Sequence, residues 1–242
     1  MRKIPMMRFE VASACQYDCA MCAHGGMRLR APRYQLSLDQ LERFIEATRQ
    51  SDYFIEDLRM HGPGEPLLWD HLEHALPRLK ASGVIGRIFI ATNGLLVHKL
   101  SEASWEHIDE MRISLYDGFT RQDEVRAVMA RHGDKIILNE CDDFLELPAD
   151  LAHAAPVPCH CRCDGPMLYG DRMYLYCGPP VFSAMDLMGM DDDAALWTAV
   201  APGYMDAVVP GRLGNLAQCA HCWGNSSFDT WVPQSTQGGG WK

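Results

Sequence analysis

An apolar run, Met6 to Val11, leads straight into Cys15-Gln16-Tyr17-Asp18-Cys19-Ala20-Met21-Cys22, and no other stretch constrains the fold of this chain as strongly. Three cysteines spaced C-x3-C-x2-C at the carboxyl end of a strand form a loop that can wrap three thiolates around one metal cluster. A cluster of about four irons held by three protein thiolates keeps one iron open to an outside ligand, which makes it a reaction centre instead of a plain electron carrier. Structural zinc is the competing occupant. It takes four protein ligands, commonly as paired C-x2-C units, and the next cysteine here is as far away as Cys141.

The 242 residues fit one large domain, or one domain with a small appendage. With 48% hydrophobic and 22% charged residues the composition is that of a soluble globular protein, and the net charge of -10 argues against a nucleic-acid partner. Met1-Arg2-Lys3 is basic, but Pro5, Arg8 and Glu10 interrupt the apolar residues after it, so no signal peptide is read there, and no run approaches a membrane span. The expectation is a cytoplasmic protein with no membrane contact. In that compartment the ten cysteines are reduced thiols available to metals. Cys15, Cys19 and Cys22 form a front group, Cys159, Cys161, Cys163, Cys177, Cys219 and Cys222 a back group, and Cys141 stands alone as a small buried hydrophobe.

Beyond the cysteine loop the pattern alternates. Ser37 and Gln40 set up a capping box for a helix with Leu38, Leu41, Phe44 and Ile45 on one side. Strands are expected around Asp57 to Met60, Arg87 to Ala91, Met111 to Leu115 and Lys135 to Asn139. Helices are expected at Trp69 to Ser82, with a possible kink at Pro77, and at Ser101 to Ile108 and Asp123 to His132. Such alternation implies right-handed crossovers and a parallel sheet, with about five strands before residue 145. Ligands bind outside the carboxyl ends of parallel strands. The cysteine loop, Gly62 to Pro66, Thr92 to Gly94 and Ser114 to Gly118 all fall at such ends, so they should meet in one site.

These elements, in this order, resemble the radical S-adenosylmethionine (radical SAM) superfamily. The resemblance implies a partial (β/α) barrel of parallel strands. It implies a SAM-binding 4Fe-4S cluster held by Cys15, Cys19 and Cys22, with the methionine end of SAM on the open iron. Gly64-Glu65-Pro66, following Gly62, is similar to the superfamily's "GGE" segment, whose carboxylate holds the SAM amino group; Pro63 replaces the first glycine of that pair. Thr92-Asn93-Gly94 resembles the next strand-end motif, and Ser114 the serine that approaches the SAM ribose. Met21 stands where the superfamily often has an aromatic.

Near Asp142 to Pro158 the periodicity breaks and a cysteine-rich back third begins, giving expected domains of 1–150, 151–232 and a mobile tail at 233–242. Met167 to Tyr169 and Met173 to Tyr176 read as a hairpin about Gly170-Asp171-Arg172 that delivers Cys177, and Asp191-Asp192-Asp193 as the cap of a helix from Ala194 to Val200. Cys177, the C-x2-C unit Cys219/Cys222 and one of Cys159, Cys161 or Cys163 make a four-thiolate set, which structural zinc could also occupy. The arrangement resembles the twitch half of SPASM/twitch extensions, a small cysteine-rich hairpin and helix domain, and implies a second, auxiliary 4Fe-4S cluster.

Chain length and cysteine placement are similar to those of the short radical SAM dehydrogenases of butirosin biosynthesis, which oxidise 2-deoxy-scyllo-inosamine. That resemblance implies hydrogen abstraction from a small molecule, an aminocyclitol or sugar, with a reducing partner such as flavodoxin or ferredoxin. Peptide modification, methyl transfer or epimerisation are alternatives within the superfamily, and a non-catalytic iron-sulfur or zinc protein is the alternative outside it. Polar candidates for the cavity are His61, Tyr116 and Asp117 as catalytic groups, with His24, Asn139 and Glu140 beside them; carbinol oxidation calls for a base. His160 and His221 flank the back cysteines.

Overall fold

The computed structural model describes residues 1–17, 34–62, 64–116, 121–141, 143–145, 165–174, 197–207 and 231–233. Its centre is a run of parallel strands. β1 (Arg2–Ile4) and β2 (Met7–Glu10) are two pieces of one line, both parallel to β3 (Tyr53–Met60). The break falls at Pro5, which has no N–H to give a ladder. β4 (Ile85–Thr92), β5 (Glu110–Tyr116) and β6 (Ile136–Cys141) come next, each parallel to the one before. The expected alternation is therefore present, with α1 (Leu38–Gln50), α2 (Leu72–Ala81), α3 (Glu102–His107) and α4 (Gln122–His132) as crossovers.

Local sequence explains the helix ends. Ser37 Oγ accepts from Gln40 N–H at 3.2 Å while Gln40 Oε1 accepts from Ser37 N–H at 2.9 Å, closing the capping box of α1. Ser101 caps α3 through Ser104 N–H. α2 starts later than the pattern suggested, at Leu72, because a 3-10 turn at Pro66–Leu68 comes first and Trp69 is turned inward to donate to Leu36 O at 2.6 Å.

One face of the sheet carries the core. Met7, Phe9, Leu58, Met60, Ile88, Ile90, Met111 and Ile113 are buried in one cluster with Leu41, Phe44, Leu76 and Leu79 of the helices. The Phe9 ring stands 5.1 Å from that of Phe44 and 6.5 Å from that of Trp69. Because side chains alternate along a strand, Arg8 and Glu10 lie on the opposite face.

Past β7 (Asp143–Leu145), the back third extends this sheet. β8 (Met167–Tyr169) and β9 (Arg172–Tyr174) form the expected hairpin, with Gly170 at φ +68°, and β8 runs parallel to β2, pairing Arg8 with Met167 and Glu10 with Tyr169. The hairpin is thus continuous with the core sheet. The helix expected over Ala194 to Val200 is corrected: Trp197–Ala199 is a strand, β10, antiparallel to β9, with the Arg172 guanidinium 4.2 Å from the Trp197 ring centre. An aromatic and a β-branched residue facing a cross-strand partner outweigh the capping signal of the aspartates before them. β7 itself pairs with β11 (Trp231–Pro233) in a separate two-stranded ribbon. No helix among the described residues is long and apolar enough to cross a membrane.

Candidate active site

Three strand-end segments expected to converge are fastened to one another by hydrogen bonds. Glu65, at the end of the glycine-rich turn after β3, is only 3% exposed, and its carboxylate accepts from Thr92 Oγ1 at 2.6 Å, Asn93 N–H at 2.8 Å and Leu67 N–H at 3.0 Å. Burial raises its pKa, against the lowering effect of these donors, with Asn93 first. A carboxylate offers about four lone-pair positions, so acceptor capacity remains beyond the three bonds. Thr92 Oγ1 also receives Gly94 N–H at 3.1 Å, and Asn93 Oδ1 receives Leu95 N–H at 3.0 Å, which fixes the turn after β4.

The start of the cysteine loop, through Tyr17, is held from both sides. Glu65 N–H donates to Ala14 O at 2.7 Å. A methyl group on Gly64 would lie 2.2 Å from Ala12 O and 2.6 Å from Ala14 O, so only glycine lets the turn press against the start of the loop. From β4, the Asn93 amide donates to Gln16 Oε1 at 3.1 Å and to Cys15 Sγ at 3.7 Å, and Tyr17 N–H donates to the same sulfur at 3.4 Å. N–H groups directed at a cysteine sulfur are the kind of contact that surrounds the sulfurs of iron-sulfur clusters. Cys15 and its surroundings therefore fit an iron-sulfur ligand. Tyr116, at the end of β5, meets Tyr17 edge to face with ring centres 5.7 Å apart. Pro66 is buried and opens the 3-10 turn, and Ser114 sits on β5 opposite Asn139.

Several site expectations fall outside the described residues: Cys19, Cys22, His24 and Asp117 at the front, and Cys159, His160, Cys161, Cys163, Cys177, Cys219, His221 and Cys222 at the back. Asn139 and Glu140 are exposed.

Residues 9–147, more than half of the chain, match the family model of the radical SAM superfamily. The chain belongs to that superfamily. Radical SAM enzymes carry a SAM-binding 4Fe-4S cluster, and Cys15 with Cys19 and Cys22 is the set that would hold it. GTP 3',8-cyclase from Stenotrophomonas maltophilia (strain R551-3) is 29% identical over 97 residues, which are 40% of this chain but only 28% of the cyclase. A crystal structure of BtrN in an open conformation superposes with a TM-score of 0.55 at 15% identity, covering 90% of this chain and 92% of BtrN. BtrN in complex with AdoMet and 2-DOIA matches at a TM-score of 0.49 and 19% identity, covering 65% of this chain and 68% of that one. The open-conformation likeness establishes a shared fold.

Sequence reasoning passed over Glu10. This residue ends β2 on the sheet face away from the helices and is 2% exposed. His61 Nδ1 lies 4.0 Å from its Oε1, and a methyl on Gly62 would overlap its carboxyl, so the unbranched Gly62, at φ +143°, makes room for the acid. The signal was present in the sequence: one acid within an apolar run, two residues after Arg8 and out of phase with Met7 and Phe9.

Proposed function

We propose that this radical SAM enzyme abstracts hydrogen from a small polar molecule and oxidises it by two electrons, a carbinol to a carbonyl on a cyclitol, aminocyclitol or sugar. The observation that carries the reading is the polar sheet face beside the cysteine loop, with Glu10 and His61 at its centre and Tyr169 opposite Glu10 on β8. Such a lining suits a small hydroxylated ligand. The similarity to 2-deoxy-scyllo-inosamine dehydrogenases in length and cysteine placement supports it, as does the fold shared with BtrN over nine tenths of both chains.

When bound, the cluster and SAM would supply a 5'-deoxyadenosyl radical able to take hydrogen from an unactivated carbon. The chain's own residues do the rest. Glu65, Thr92 and Asn93 form a rigid frame whose remaining acceptor capacity suits the SAM amino group. Asn93 and the Tyr17 N–H steady Cys15, and the Tyr17/Tyr116 ring pair ties the start of the loop to the end of β5. His61, Tyr116 and Asp117 are the proposed proton-handling groups. Cys177, Cys219 and Cys222, with one of Cys159, Cys161 and Cys163, are proposed to hold an auxiliary 4Fe-4S cluster as acceptor of the second electron. A flavodoxin or ferredoxin is the proposed reductant.

The test uses anaerobically reconstituted protein. Iron and zinc per chain are measured for wild type and for the Cys15→Ala/Cys19→Ala/Cys22→Ala variant, together with dithionite-dependent release of 5'-deoxyadenosine and of oxidised product from 2-deoxy-scyllo-inosamine. About eight irons falling to about four, with SAM cleavage lost, is the expected result. About four irons with one zinc would remove the auxiliary cluster, and SAM cleavage without any oxidised product would remove the oxidation.

A further inference from the structure

Buried carboxyl groups are almost always hydrogen-bonded, and one that is not calls for a partner from elsewhere. Among the described residues Glu10 is such a group. No hydrogen bond among them ends on its carboxyl, and the imidazole beside it, His61 Nδ1 at 4.0 Å, is beyond hydrogen-bond reach. Burial pushes its pKa well above the usual carboxylate value, and Arg8 opposes this only in part. The groups facing it are Arg8 on its own strand, His61 beyond β3, Tyr169 on β8 and Tyr34 before α1.

A second group on the same face is also short of a partner. Arg8 Nε is buried with no hydrogen-bond partner, and Arg8 lies two residues before Glu10, so both side chains leave β2 on the same side. An acceptor and a donor in one line, both short of partners among the described residues, match a molecule that offers both functions on neighbouring atoms. Adjacent hydroxyls do so, as does a hydroxyl beside an amine. A simple anion would satisfy Arg8 and leave Glu10 worse off.

We infer that Glu10 is a substrate contact, its carboxyl accepting a hydrogen bond from a hydroxyl or ammonium group of a polyol while Arg8 donates to a neighbouring oxygen. Gly62 is what lets that carboxyl sit at the strand end, since any side chain there would displace it. The inference rests on the small-molecule oxidation proposed above and adds the residues that read the substrate.

The experiment compares wild type, Glu10→Gln and Glu10→Asp as cluster-loaded enzymes, with 2-deoxy-scyllo-inosamine and its all-hydroxyl counterpart as probes. Iron per chain, SAM affinity, KM and kcat are measured. The expected result is a KM raised about tenfold to a hundredfold in Glu10→Gln, with part of the loss recovered in Glu10→Asp and iron and SAM affinity as in wild type. A larger effect with the amine than with the hydroxyl probe identifies the donor as ammonium; equal effects identify a hydroxyl. An unchanged KM in Glu10→Gln overturns the inference and leaves the oxidation standing, and iron or SAM loss in both variants overturns it in favour of a structural role. A wild type that cleaves SAM but oxidises neither probe overturns the oxidation and this inference together.

Discussion

The turn at Glu65 and the strand end at Glu10 hold the same chemical group in the same degree of burial, 3% and 2% exposed, and use it in opposite ways. Glu65 accepts three hydrogen bonds from the turn after β4 and from its own 3-10 turn. Glu10 accepts none among the described residues. In both, burial raises the pKa, yet only at Glu65 do hydrogen-bond donors oppose it directly. The first carboxyl is a fastener, already bonded without ligand; the second stores an unmet demand. A buried acid is thus informative about function in proportion to what fails to bond it.

The contrast can be broken by mutation. Glu65→Ala strands three donors and should cost about 3–5 kcal/mol, read as a lower denaturant midpoint, with SAM binding lost as well. Gly64→Ala comes next: its methyl meets backbone oxygens that cannot swing aside, so about 2–4 kcal/mol and a fall in iron per chain are expected. Asn93→Ala removes the side-chain donor to Gln16 and Cys15 but leaves the Asn93 N–H on Glu65. About 1 kcal/mol should be lost, with a measurable change in the cluster's reduction potential.

Glu10→Gln should do the reverse of Glu65→Ala. Because the folded-state pKa of Glu10 is raised, its favourable share of stability is present below the ordinary value of 4.5 and is lost as pH rises toward the folded pKa. The variant has no such loss. Unfolding curves for the two proteins should therefore diverge above pH 4.5, the variant becoming the more stable; parallel curves would show that Glu10 is not desolvated. At the bottom of the scale, Lys3→Ala breaks an exposed pair with Glu56 and should change stability by less than about 0.5 kcal/mol.

Much of the front of the molecule was legible in the sequence because its signals are local. The capping box at Ser37 and Gln40, the strand-helix alternation and the glycine-rich turn each depend on neighbours a few residues away. Their convergence comes from a rule about parallel strands. What escaped depends on distant partners: β10 forms because β9 offers an edge, which overrides the helix signal at Asp191 to Asp193. β1 was missed because its pairing is with β3, far along the chain, and so short a strand leaves little periodicity to read. Glu10 was seen only as an interruption of an apolar run, since its meaning depends on the Phe9 face being taken by Phe44 and Trp69.

The parallel pairing of β2 with β8 has a consequence for synthesis. Arg8 and Met167 are neighbours in the sheet, yet the ribosome makes them far apart in time. Until the hairpin emerges, the outer edge of β2 carries unpaired N–H and C=O groups beside the cysteine loop, open to any extended segment nearby. Pairing across so long a stretch is also slow. Nascent chains halted before residue 165 should therefore present β2 as an edge, and a chaperone or the iron-delivery machinery would meet the cysteine loop before β8 has joined it.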